Sequence, residues 1–302
     1  MRPIPRIAPA EFDLEDYDEV VDVRSPAEFV EDRLPGAVNL PVLDDEQRAR
    51  IGTIYKQQSP FEARRAGAAL VSRNIGAHLD SHFASKPRTF QPLVYCWRGG
   101  ERSASMATVL SSIGWHTHVL EGGYKAYRKF VIESIESFAE GDPQICVIAG
   151  LTGSGKTWLL QRLAAAGAQI LDLEGLAQHR GSALGESPDA AQPSQKRFEN
   201  QLFQGMRTLR PDEPVFVESE SNRIGSIQLP AALWRLMRAA PVFEIEVPLE
   251  ARATYLVEHY RHFVEDRDLL DEKLEPLRPH QPRERFAQWK ELARVGDWTG
   301  FV

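Results

Sequence analysis

The eight residues GLTGSGKT, from Gly150 to Thr157, constrain the fold of this chain more than any other feature. They satisfy G-x-x-x-x-G-K-[S/T], follow the apolar run ICVIA (Ile145 to Ala149) and lead into TWLLQRLAAAG. Such a loop works between the end of a strand and the start of a helix, where backbone N–H groups converge on an anion and the helix dipole favours negative charge. Gly150, Gly153 and Gly155 permit the wrap, with Ser154 inside it. Lys156 reaches terminal phosphate oxygens, and the Thr157 hydroxyl is the metal donor if Mg²⁺ binds. These six residues are the candidate phosphate site. The loop recognises a diphosphate rather than a base, so the ligand need not be ATP.

A second anion-cradling loop, CWRGGERS (Cys96 to Ser103), lies about fifty residues earlier, again between an apolar run and a helical pattern. Cys96 ends the run PLVYC. The N–H donors, the helix dipole and the nearby Arg98 and Arg102 all favour a thiolate there. Gly99 and Gly100 let the backbone curl round the sulfur without Cβ clashes. The setting suits a cysteine that takes up sulfur or selenium as a persulfide or selenosulfide, with Cys96, Arg98 and Arg102 as the catalytic candidates. A plain buried strand-end cysteine is the competing account. Cys146, inside ICVIA and away from charge, reads as inert core.

Around these loops, short strand patterns alternate with helical ones, which implies α/β architecture with parallel sheets and helices on both faces. Strands are expected at 19–23, 38–40, 92–96 and 117–120, and helices at 26–29, 48–55, 60–74, 103–113 and 124–138. The segment EGDPQ (Glu140 to Gln144) is a natural boundary, giving domains at 1–138 and 139–302. The second begins again with strands at 145–149, 169–173, 214–217 and 242–247 and helices at 156–166, 196–209 and 229–239. Residues 249–298 read as mainly helical, and 179–195, rich in Gly, Ser and Pro, as a functional loop.

Net charge is −7, with 17 basic and 20 acidic side chains over residues 1–140 and 19 and 23 over 141–302. Any nucleic acid must then be held by a local patch rather than a global field. Two cysteines make no disulfide framework and fit a reducing cytosol. The first residues lack an apolar signal core, and no apolar stretch approaches the ~20 residues of a membrane span, so a cytoplasmic location is expected.

Several polar residues have two readings each. Glu218 and Glu220, after the run PVFV, either hold Mg²⁺ or shape the pocket, or are a solvated acid pair at a strand end; Asp172 and Glu174 are similar. Arg180, within HRGSALG (His179 to Gly185), is either a second phosphate clamp or part of a plain surface loop. Arg261, Arg283, Arg285 and Lys290, with Trp289 and Trp298 nearby, either form an RNA-binding patch or a solvated helical face balanced by Glu265, Asp266, Asp268, Asp271 and Glu272.

Three segments in order, DVRSPAEF (Asp22 to Phe29), CWRGGERS and VLEGGYKAYR (Val119 to Arg128), resemble a rhodanese domain over residues 10–135. That resemblance makes Cys96 the sulfane carrier and leaves Asp22 and Arg24 as a framework pair. With YKQQ (Tyr55 to Gln58), GLTGSGKT, DLEGLAQHRGSALG (Asp172 to Gly185), FEN (Phe198 to Asn200) and ESESNRIGSIQLP (Glu218 to Pro230), nearly the whole chain resembles the bacterial tRNA 2-selenouridine synthases. The resemblance implies a rhodanese-like domain followed by a P-loop NTPase-like domain with a helical C-terminal part. It implies S-geranylation of 2-thiouridine at the tRNA wobble position by geranyl diphosphate, then replacement of the geranyl thiol by selenium from selenophosphate. No covalently bound cofactor is implied; an enzyme that supplies selenophosphate is an implied partner. Members of that family usually continue past the position of Val302, with further helices after a DP-containing segment. The alternative is a P-loop small-molecule kinase fused to a rhodanese sulfurtransferase domain, which predicts tight ATP binding and turnover.

Overall fold

Runs of β-branched and aromatic residues too short for helices, each followed by a helical pattern, build two parallel sheets. The computed structural model describes residues 3–182, 184–186 and 191–301, and divides into two compact units, Met1–Ser134 and Ile135–Val302. The division falls inside a helix, Gly123–Glu140, rather than in the EGDPQ segment that follows it. No helix of the described residues is long and apolar enough to cross a membrane.

In the first unit, β1 (Arg6–Ile7), β2 (Glu19–Asp22), β3 (Ala37–Asn39), β4 (Pro92–Tyr95) and β5 (His118–Leu120) form one sheet in the order β1-β5-β4-β2-β3. Every ladder in it is parallel. The central strands β2 and β4 are buried almost throughout, which explains the unbroken apolar runs VV and LVY. The two-residue strand β1, unforeseen from sequence, adds to the edge through Arg6 and Ile7 opposite Val119 and Leu120.

DVRSPAEF is a framework, as the rhodanese resemblance implies. Arg24, 1% exposed, holds Asp22 with Nε at 3.0 Å and Nη2 at 2.6 Å, and also donates to the Asp32 carbonyl. The Tyr95 hydroxyl donates to the same Asp22 carboxylate at 2.6 Å, and the Tyr124 ring lies 4.1 Å from the guanidinium carbon. A charge this deep persists only when every lone pair and N–H finds a partner, and here the partners come from β2, β4 and the helix at Tyr124. Next in sequence, Ser25 and Glu28 make a capping box, with Pro26 opening the helix Pro26–Glu31.

In the second unit, β6 (Ile145–Ala149), β7 (Gln169–Leu171), β8 (Val215–Glu218) and β11 (Val242–Glu244) form a parallel sheet in the order β11-β6-β8-β7. A hairpin of β9 (Arg223–Ile224) and β10 (Ile227–Gln228) stands apart from it. Because β8 pairs directly with β6, with Ile148 opposite Glu218, the acid at the end of β8 arrives beside the phosphate loop. The strand expected over 169–173 stops at Leu171. Asp172 then accepts from Gly175 N at 2.7 Å and caps a helix, Leu173–Ala177, that hydrophobic periodicity alone did not reveal. The strand expected over 242–247 ends at Glu244. Residues 249–301 are helical, in five α segments joined partly by a 3₁₀ turn at Glu275–His280. Of the loop expected over 179–195, positions 183 and 187–190 lie outside the described residues.

Candidate functional site

The phosphate loop joins β6 to the helix Lys156–Ala165. Gly153 sits at φ +82°, and a Cβ there would come within 2.8 Å of Leu256 and 3.0 Å of the Arg252 carbonyl. Glycine thus serves both the turn and the close approach of the helix Leu249–His259 to the loop. Lys156 Nζ donates to the Gly150 carbonyl at 3.0 Å, at the loop's own mouth. Ser154 is 8% exposed, and its Oγ has no hydrogen-bond partner among the described residues. Thr157 Oγ1 donates to Glu174 Oε2 at 3.1 Å.

Gly153, Lys156 and Thr157 open onto a cleft of about 710 Å³. Lys156, Thr157, Glu174 and Glu220 line it together with Arg180, Tyr255 and His259. Arg180 Nη1 donates to the His259 carbonyl, with its guanidinium carbon 4.9 Å from the centre of the Tyr260 ring. Arg180 therefore shares a cleft with the phosphate loop, the arrangement a second clamp requires. Gly181 (φ +66°) is bare for a reason: a Cβ would meet Glu220 Oε1 at 2.4 Å and Glu174 Oε1 at 2.6 Å. His179 Nδ1 accepts from Gly181 N at 3.2 Å, which puts the proton of the neutral ring on Nε2. Asp172 does not line the cleft; its carboxylate caps Leu173–Ala177 and accepts from Gln161.

Of the strand-end pair, Glu220 borders the cleft while Glu218 is fully buried, so neither fits the solvated reading. Glu218 Oε2 accepts from Leu173 N at 3.1 Å, and Oε1 has no partner among the described residues. Burial, then the charges of Asp172 and Glu174, push its carboxyl up to about 9. Burial, then the hydrogen bond and charge of Glu174, push Glu220 up to about 8. Glu218 at its ordinary 4.5 releases its proton in the unfolded chain but keeps it in the fold until about 9. The fold then binds more protons across that window, and this group's stabilisation is lost as pH rises from about 4.5 to 9. Glu218→Gln keeps the shape and removes the titration. In EDTA its melting temperature is expected to exceed that of the parent chain by several degrees at pH 8.5, by roughly 2–4 °C per kcal/mol, with the gap closing toward pH 5. A gap that stays constant with pH would show that Glu218 does not hold its proton in the fold.

A second, apolar cavity of about 380 Å³ lies among the C-terminal helices, and Leu151, Thr152, Ser182, Leu256 and Tyr260 belong to the walls of both spaces. The helix Leu249–His259 and the residue after it thus supply Tyr255, Leu256, His259 and Tyr260 to the cleft and Arg252 to the cavity, none of which sequence reading singled out. Arg252 Nη1 donates to the Thr152 carbonyl inside the phosphate loop at 3.1 Å. The available signal was the i, i+4 spacing of Arg252, Leu256 and Tyr260, which sets them along one helix face.

In the first unit, Cys96 follows β4 and the helix Glu101–Ile113 starts after Gly100. Its Sγ lies 3.2 Å from Ser103 Oγ, which itself donates to the Gly100 carbonyl at 3.1 Å. Gly122 and Gly123 take left-handed φ of +65° and +61°, and a Cβ on Gly123 would fall 2.3 Å from the Cys96 carbonyl and 2.4 Å from Gly99 N. Gly123 lets the cysteine loop nest against VLEGGYKAYR, while Gly122 makes room for Ala126, and Tyr124 N and Lys125 N donate to the carbonyls of Cys96 and Trp97. Cys96 is 3% exposed. Arg98 is exposed on the loop. Arg102 Nη1 donates to Glu28 at 2.8 Å, and Arg48 pairs with the same carboxylate at 2.9 Å. Burial raises the Glu28 carboxyl, but the bond and charge of Arg102, then Arg48, outweigh it and hold the group below the usual range. Arg102 thus ties the helix Glu101–Ile113 to the Ser25–Glu28 cap. Cys146 is half-buried in β6.

The four basic candidates for RNA contact sit on two helices, Arg261–Glu265 and Arg283–Val295. Arg261 pairs with Glu265 at 3.6 Å, and Lys290 with Glu275 at 3.0 Å and Asp271 at 3.4 Å. Arg283 and Arg285 are exposed. The balancing acids therefore include Glu265 and Asp271, which the sequence suggested, and Glu275, which it did not. Among the described residues, no group of three or more His, Cys, Asp or Glu side chains is placed to hold a metal ion.

Fold and sites together define a rhodanese-like domain followed by a P-loop domain. Residues 8–130 match the family model for the rhodanese-like domain, and residues 143–280 match that for the tRNA 2-selenouridine synthase AAA domain. The tRNA 2-selenouridine synthase of Nitrosomonas europaea is 39% identical over 248 residues, covering 80% of this chain and 63% of the relative. Those of Bdellovibrio bacteriovorus and Hahella chejuensis are 39% and 40% identical, with 80% of this chain covered and 64% and 63% of theirs. The chain belongs to the tRNA 2-selenouridine synthase family. It spans about 63% of the length of these curated relatives.

Proposed function

We propose that this chain performs the reaction for which its relatives are named, exchanging sulfur for selenium in 2-thiouridine at the tRNA wobble position in the cytoplasm. The exchange runs in two steps. The thiouridine sulfur attacks C1 of geranyl diphosphate; the C1–O bond breaks and diphosphate leaves with the electron pair. Selenium of selenophosphate then attacks C2 of the S-geranyl base, the geranyl thiolate leaves and takes a proton, and water removes the phosphoryl group.

The observation that carries this reading is the adjacency of two spaces. A phosphate cleft beside an apolar cavity, with Leu151, Leu256 and Tyr260 lining both, suits a diphosphate with a hydrocarbon tail. A nucleotide would ask for polar partners at its base where this cavity offers aliphatic and aromatic side chains. Gly150, Gly153, Ser154 and Gly155 supply the cradle, and Lys156 and Arg180 neutralise the leaving charge. When Mg²⁺ is bound, the Thr157 hydroxyl and the Glu174 and Glu220 carboxylates are oxygen donors of suitable hardness, and the ion adds positive charge beside the diphosphate. Cys96 serves the selenium step, with Arg98 on the same loop drawing in the selenophosphate that a partner enzyme supplies. Arg261, Arg283, Arg285 and Lys290 serve the tRNA backbone.

Mass spectrometry of nucleosides tests this. Incubating the chain with tRNA carrying 2-thiouridine and geranyl diphosphate is expected to yield S-geranyl-2-thiouridine, and adding selenophosphate to convert it to 2-selenouridine. ATP turnover without either product would favour the kinase reading.

A further inference from the structure

The motif YKQQ (Tyr55 to Gln58) takes no part in either site described above, and all four of its residues are exposed. It ends the helix Asp45–Gln57, and Gln58 and Ser59 alone join that helix to Pro60–Asp80. Ser59 caps the second helix, its Oγ accepting from Glu62 N at 3.1 Å, and Pro60 opens it. The inner faces of the two helices pack on each other, with Ile51 over the bare Gly67 and Asn74 donating to Gln47 at 2.7 Å. The outer face at the tip keeps two aromatic rings in water: Tyr55 is 56% exposed and Phe61 68% exposed. Lys56, Gln57, Gln58, Arg64 and Arg65, all exposed, stand between and beside them. Glu62 is the one acid over residues 55–65, and it pairs with Arg65 at 2.6 Å. The tip is thus locally basic on a chain of net charge −7. Ion pairs place it beside the cysteine loop. Arg64 Nε lies 3.3 Å from Oε1 of Glu101, the first residue of the helix Glu101–Ile113, and Arg48 of the first tip helix shares Glu28 with Arg102.

We propose that this helical tip is an RNA-docking surface beside the thiol loop, where Tyr55 and Phe61 stack on unpaired bases of the tRNA anticodon loop. The inference rests on the reading of tRNA as the substrate and adds the surface that receives it next to Cys96. A wobble base lies in a single-stranded loop, whose bases can be splayed out and stacked on aromatic rings. The amides of Gln57 and Gln58 suit base edges, and the ammonium of Lys56 suits a phosphate. A protein partner would ask for a contiguous apolar centre, whereas amides and cations separate these two rings. The acidic chain as a whole repels RNA, so a local basic and aromatic patch is the kind of surface that binding requires.

The test is fluorescence anisotropy of two labelled RNAs titrated with the whole chain. One is an anticodon stem–loop hairpin with 2-thiouridine at the wobble position; the other is a duplex of the same length with no unpaired base. The parent chain is expected to bind the hairpin more tightly than the duplex by about tenfold or more. Tyr55→Ala and Phe61→Ala are each expected to weaken hairpin binding by about tenfold and to leave duplex binding within about twofold. Tyr55→Phe is expected to keep most of the affinity, because a phenyl ring still stacks. Lys56→Ala is expected to weaken both RNAs and to lower the salt slope of binding by about one. Both rings lie largely in water, so melting temperatures are expected to stay within about 2 °C of the parent. Hairpin binding unchanged in both alanine variants overturns the docking surface and leaves tRNA as the substrate. Equal loss on hairpin and duplex overturns the stacking role. Normal RNA binding with loss of a parental self-association on gel filtration makes the tip a contact between copies and overturns the proposal. If the parent chain binds neither RNA, the reading of tRNA as the substrate fails, and the docking surface fails with it.

Discussion

Lys156→Ala is expected to lower geranyl transfer to thiouridine by at least about a hundredfold while leaving the melting temperature within a few degrees of the parent. As the C1–O bond of a prenyl diphosphate breaks, negative charge grows on the departing oxygens. The groups that gain most are those already aimed at them. Lys156 stands at the first turn of Lys156–Ala165, half-buried, with Nζ at the Gly150 carbonyl and so at the mouth of the loop. Removing one preorganised donor of this kind typically costs about 10²–10³ in rate. The folding cost is small, because among the described residues Lys156 donates one side-chain hydrogen bond, to a loop carbonyl, and it is not part of the buried core. Lys156→Arg retains the charge but not the compact ammonium, and is expected to recover part of the loss. Nucleoside mass spectrometry reads the product directly. Selenation of RNA supplied already S-geranylated should proceed at the parental rate in Lys156→Ala. Geranyl transfer at the parental rate would remove the phosphate loop from that step.

Much of this machinery could be read from the sequence because it is local. A loop between strand and helix, with glycines where the backbone must wrap, carries its function in consecutive residues, as Gly150 to Thr157 and Cys96 to Ser103 do. The buried pair of Asp22 and Arg24 is two residues apart and equally local. What stayed hidden depends on distant residues meeting. Glu174 and Glu220 converge on Gly181 because β8 lies between β6 and β7, an ordering that no periodicity encodes. Arg252 and Leu256 reach the phosphate loop only because Gly153 admits their helix. Arg102 shows the same dependence: it lies near Cys96 in sequence, yet its guanidinium bonds Glu28, 74 positions earlier, a partner that proximity does not reveal. Burial decides such pairings, since a charge leaving water goes to the partner of opposite sign within reach. The helix Leu173–Ala177 was missed because it is a single short turn whose start signal is one capping aspartate.

Cys96→Ala is expected to leave geranyl transfer at the parental level and to lower selenation by at least about a hundredfold. The chemistry of the donor sharpens what the thiol does. Selenium in selenophosphate already holds the electron pair that attacks C2, so direct delivery needs no oxidant. Storing it on Cys96 as a selenosulfide would remove two electrons and require one. We read Cys96 as a thiol that assists: it is 3% exposed and its Sγ lies 3.2 Å from Ser103 Oγ, near the start of a thirteen-residue helix whose N-terminal N–H groups suit the phosphoryl end of the donor. Cys96→Ser separates the two routes. A hydroxyl can keep the hydrogen bond to Ser103 and part of the assistance, so delivery predicts that Cys96→Ser retains measurable selenation where Cys96→Ala does not. A stored selenosulfide predicts that both variants are equally dead and that intact protein gains the mass of one selenium on Cys96 only when an oxidant is supplied. Equal loss of geranylation and selenation in Cys96→Ala, with folding intact, would dissolve the division of labour between the thiol loop and the phosphate loop.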